Sequence, residues 1–121
     1  MSLYEFERIV NTARGYYQLG MGEDAWSALE NLQRSDRCLH PEVIALRLLI
    51  LALMKRWDCG GALVDNITGN HHIDCRAAAG AYLLAHASAL CDIGAHDAAR
   101  RSVRRAAELY PEGRDSRLTP R

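Results

Sequence analysis

The segment LLAHASALCDIGAHDAARRSVRRAAELYP, residues 83–111, decides the fold. It reads as a helix, a tight turn at Gly94, and a second helix that stops at Tyr110–Pro111. Apolar residues return every three or four positions on both sides of the turn, the spacing of one helix face. Small side chains stand where two helices would press closest, Ala87 in the first and Ala99 and Ala106 in the second. Leu83, Leu90, Val103 and Leu109 fill the space between them. This pattern recurs in steps of 37 residues: Ala99 has counterparts in Ala62 and Ala25, Leu90 in Leu53 and Tyr16, Leu83 in Leu46 and Ile9. Gly20 falls under Gly94. One helical hairpin is written three times.

Outward from that segment the same periodicity predicts helices over 4–18, 23–34, 41–55, 59–67, 73–91 and 95–109, and no strand. Gly20 and Gly22 supply the first turn, and Gly15 suggests a close helix contact. Pro41 suits the first position of the third helix, where its missing N–H costs nothing. Asp58 is the expected cap of the fourth helix, which Gly60 and Gly61 weaken. The third helix carries a wide apolar band, as a central element covered on more than one side requires. Residues 1–111 read as a single domain with repeats at about 5–37, 42–74 and 79–111, and 112–121 as a flexible tail.

Composition narrows the function classes. The chain has 121 residues, 49% apolar and 25% charged, enough to bury a core without disulfides. Basic and acidic residues balance at 15 each, so no global field draws nucleic acid or an acidic surface. The four cysteines, Cys38, Cys59, Cys75 and Cys91, form no CxxC pair and read as reduced thiols. No apolar run is long enough to span a bilayer, and the expected location is the cytoplasm.

The pattern resembles the tetratricopeptide repeat, a helical hairpin with small residues where its helices cross. The family's early large residue matches Ile9, Leu46 and Leu83, and its alanine opening the second helix matches Ala25, Ala62 and Ala99. Its small residue in the first helix matches Ala13 and Ala87, but Ile50 stands there in the middle repeat. Its later packing positions are Leu29 and Leu32, then Asn66 and Gly69, then Val103 and Ala106, so the middle repeat departs twice more. The family's period is about 34 residues, and the extra residues here fall in the linkers. The resemblance implies an all-α fold of about six helices, three antiparallel hairpins stacked as a short right-handed solenoid.

It also implies an adaptor or chaperone holding a helical or extended segment of another protein in a groove lined by the first helix of each hairpin; separately, the scattered carboxylates and the lack of a phosphate loop argue against catalysis, and no cofactor is expected. The family's inner-face positions fall on Val10, Arg14 and Tyr17, on Ile44, Arg47, Leu51 and Met54, and on Leu84, Ser88 and Cys91. Helix periodicity separately places Ile44, Arg47, Leu51 and Met54 on one side of the third helix, away from Leu46, Leu49 and Leu53. Leu51 and Met54 are then expected to face solvent and Leu53 the core. The same face could serve a homodimer. A third reading uses Arg100, Arg101, Arg104 and Arg105 as a phosphate-binding stripe, against which stand the zero net charge and the lack of interleaved aromatics. His71, His72, Asp74 and Cys75, with His40 or Cys38, are the only dense ligand set, and their spacing matches no closed zinc signature. Cys59 at a helix start has no histidine at a spacing that suggests a dyad.

Overall fold

Ser2 opens the first helix: its Oγ accepts the Glu5 amide at 3.1 Å, satisfying one of the amides that a helix start leaves without a partner. The computed structural model describes residues 2–33, 36 and 40–113. It is all-α, with α1 (Leu3–Gln18), α2 (Gly22–Leu29), α3 (Pro41–Leu53), α4 (Trp57–Asp65), α5 (Ile73–Asp92) and α6 (His96–Leu109), and no strand among the described residues. Pro41 sits at the first turn of α3, and His72 caps α5 by accepting the Asp74 amide on Nδ1 at 3.0 Å. α2 stops at Leu29, short of the expected end; Leu32, in the turn beyond it, is still buried. Among the described residues no helix is long and apolar enough to cross a membrane.

Three turns close the hairpins in the same way. Gly20, Lys55 and Gly94 adopt φ values of 77°, 57° and 80°. The next residue in each case, Met21, Arg56 and Ala95, donates its amide at 2.9 Å to Tyr16, Leu51 and Leu90 respectively. This six-to-one bond is the signature of a left-handed helix stop. The hairpins therefore repeat at spacings of 35 and 39 residues, not 37. The slip of two in the middle hairpin corrects several expectations together. α4 begins at Trp57 rather than Cys59. Gly60, not Ala62, is the buried counterpart of Ala25 and Ala99, and Ala62 is exposed. Leu48, not Ile50, matches Ala13 and Ala87, and all three are buried. Val64 and Ile67 replace Asn66 and Gly69 as the counterparts of Leu29 and Leu32. The departures of the middle repeat at its later packing positions disappear.

Two clusters form the core, and α3 belongs to both. Its Val43, Leu46 and Ile50 join Phe6, Ile9, Val10 and Ala13 of α1 and Ala25 and Leu29 of α2. Its Leu48 and Leu51 join Val64, Cys75, Ala78, Ala79, Tyr82 and Leu83 on the other side. The wide apolar band of α3 thus has the role its width implies, and each fully buried aliphatic side chain contributes about 1.5–3 kcal/mol. Val10 and Leu51 are core residues, 2% and 4% exposed, whereas Leu53 is 41% exposed at the last turn of α3. That reverses the expected roles of Leu51 and Leu53. A Cβ at Gly15 would meet no neighbour within 4 Å, so no close contact explains that glycine.

The end of α6 is tied back to the start of α5. Arg76 donates to both carboxylate oxygens of Glu112 at 2.8 Å and to the carbonyls of Leu109 and His71. The guanidinium holds the Glu112 carboxyl below the usual carboxylate range. Glu112, assigned to the tail from sequence, is therefore anchored; residues 114–121 lie outside the described residues.

Lys55 takes a left-handed conformation that costs an L-residue with a Cβ about 1–2 kcal/mol. Lys55→Gly is expected to raise stability by about 1 kcal/mol in urea denaturation, and Gly94→Ala to lower it by a similar amount. No gain at position 55 would contradict the shared turn geometry.

Candidate interaction surface

The residues expected to line one groove do not form one. Val10 and Leu51 are in the core. Arg14 pairs with Glu42 of α3 at 3.6 Å, and the Arg47 guanidinium lies 5.4 Å from the Trp26 ring centroid, so both cations are engaged within the fold. Tyr17 packs on the first cluster, Ile44 on the second, and Met54 on both. Ser88 is exposed. Leu84 and Cys91 come together elsewhere, in a cavity of about 810 Å³ between α5 and α6.

That cavity is lined mainly by apolar side chains, with two arginines among them. α5 contributes Gly80, Leu84 and Cys91; α6 contributes Val103 and Ala107 with Arg100 and Arg104, and Tyr110 adds its ring just past the helix end. The hairpin register gives the position a meaning. Val103 corresponds to Leu29 and Val64, which are 1% and 0% exposed because the following hairpin packs over them. No described hairpin follows the third, and Val103 is 46% exposed. The open face is thus the one that the first two hairpins use to receive the next helix.

The four arginines of α6 differ in their surroundings. Arg105 reaches across to Asp65 at 2.8 Å, and Arg100 pairs with Asp97 one turn earlier. Among the described residues Arg101 and Arg104 have no acidic partner. Arg104 lines the cavity.

Comparison with protein-family models gives no match, and comparisons with curated proteins and with solved structures give none.

Sequence reading missed one further grouping. Tyr82 lies against Gly60 and donates its hydroxyl to the carbonyls of Trp57 at 2.8 Å and Arg56 at 3.2 Å. His86, one turn along α5, stacks on Trp57 with centroids 4.7 Å apart and ring planes at 13°. Burial pushes the Tyr82 hydroxyl up to about 12 and the His86 imidazole below its ordinary value. The set locks α4 onto α5. Tyr82 and His86 share a face of α5 at a spacing of four, but Trp57 reaches them from α4, and no local pattern links it to them.

The histidine-rich linker is spoken for locally. His71 Nδ1 accepts the Thr68 amide at 3.0 Å, His72 caps α5, and the buried Cys75 thiol donates to the Pro41 carbonyl at 3.6 Å. Among the described residues no three His, Cys, Asp or Glu side chains are placed to hold a metal ion. Cys38, weighed as a helper, lies outside the described residues.

Proposed function

We propose that the chain is a non-catalytic interaction module, an adaptor or chaperone built from tetratricopeptide-like repeats, which receives a helical segment of another protein. One observation carries this reading: Val103 is exposed over an apolar cavity at the position where Leu29 and Val64 are covered by the next hairpin. An exposed apolar trough rimmed by charge is a common form of a helix-binding groove. The receiving groove proposed is that between α5 and α6, and of the inner-face residues read from sequence it retains Leu84 and Cys91.

A photo-crosslinking residue at position 103, introduced into the protein in its native cells, is expected to give one discrete adduct of higher mass. The same probe at Ser27, exposed on α2, is expected to give none. Absence of an adduct from position 103 would overturn the reading. An adduct of twice the chain's mass would favour the homodimer.

A further inference from the structure

Resting on that reading, we infer that the occupant of the α5–α6 groove is an acidic amphipathic helix of a different protein. The shape of the occupant follows from inside the molecule. The α1–α2 groove is filled by α3, which inserts Val43, Leu46 and Ile50 at spacings of three and four. A helix with that spacing matches the equivalent positions on the third hairpin. Charge fixes its flanks. Among the described residues the charged side chains lining the cavity are Arg100 and Arg104 and no carboxylate lines it; Arg100 is already paired with Asp97 outside the cavity, whereas Arg104 has no ion-pair partner. Aspartate or glutamate beside the apolar ridge would complement them, and lysine or arginine would be repelled.

A second copy fits poorly in either orientation. Head-to-tail stacking would present α1, whose residues matching Val43, Leu46 and Ile50 are Arg8, Asn11 and Gly15. Apart from Tyr4 at its start that face is polar, and it offers no apolar ridge of three residues. Twofold pairing of two α5–α6 grooves would set the arginines of one copy against those of the other. Residues 114–121 carry Arg114, Arg117 and Arg121 against the single acid Asp115, with one large apolar side chain, Leu118, and so have the wrong sign.

The test uses the full chain and two labelled synthetic helices. Both carry apolar residues at the spacing of Val43, Leu46 and Ile50; one is flanked by glutamate, the other by lysine. In fluorescence anisotropy the glutamate helix is expected to bind about tenfold more tightly, because its carboxylates gain exposed ion pairs where the lysines of the other helix are repelled. Arg100→Gln with Arg104→Gln is expected to erase the preference while leaving binding of the apolar ridge. Equal binding of the two helices, with both lost in Val103→Asp, would keep the groove and overturn the acidic occupant. Binding of neither would overturn the groove itself. A dimer in sedimentation that Val103→Asp dissociates would replace the foreign helix by a second copy.

Discussion

Gly60→Ala is expected to destabilise the fold by roughly 2–4 kcal/mol, although alanine favours a helix interior by about 1 kcal/mol. The added Cβ would overlap the edge of the Tyr82 ring and lie 2.5 Å from its hydroxyl oxygen. Tyr82 has no free direction in which to retreat. It is 1% exposed, its hydroxyl is held by two carbonyls of the α4 start, and Trp57 packs edge-on at 5.3 Å. Moving the ring would forfeit aromatic burial and leave the hydroxyl without its partners. Gly61→Ala is the internal control, because a Cβ there meets nothing within 4 Å. It should be neutral or slightly stabilising. Tyr82→Leu should recover much of the Gly60→Ala loss, so the two changes would be non-additive in a double-mutant cycle. Equal stability of the two alanine variants would place Gly60 outside the α4–α5 contact.

The helices were legible because each carries an amphipathic stripe, and the outer hairpins were in register because Gly20 and Gly94 mark their turns openly. The middle turn was hidden. Lys55 occupies a conformation that sequence rules reserve for glycine, while the Gly60-Gly61-Ala62 run offers several small residues to align with Ala25 and Ala99. Choosing the alanine moved the whole hairpin by two residues. Such a shift turns a helix face by roughly half a turn, which is why Leu51 and Leu53 exchanged roles. Acidic residues at the starts of the second helices do carry the correct register: Glu23, Asp58 and Asp97 each follow the turn residue by three.

The candidate site was legible only in part. Leu84 and Cys91 were singled out, but the wall they share with Val103 depends on which hairpin has no described neighbour, a property of the stack and not of any one helix. In the sequence Arg104 is one member of a stripe; the fold alone shows that it lines the cavity with no acidic partner among the described residues, while Arg100 and Arg105 have one.

The register of the middle hairpin decides whether Val64 or Asn66 is the counterpart of Val103, and therefore whether the open groove repeats a surface used twice inside the molecule. Urea denaturation of Leu51→Ala and Leu53→Ala tests it directly. Leu51 is buried between α3 and its neighbours, so its truncation should leave a cavity and cost about 2–5 kcal/mol. Leu53 is substantially exposed already, so its truncation should cost less than about 1 kcal/mol. The reverse order, with Leu53→Ala the more damaging, would contradict the observed register and return the hairpin to a uniform 37-residue repeat.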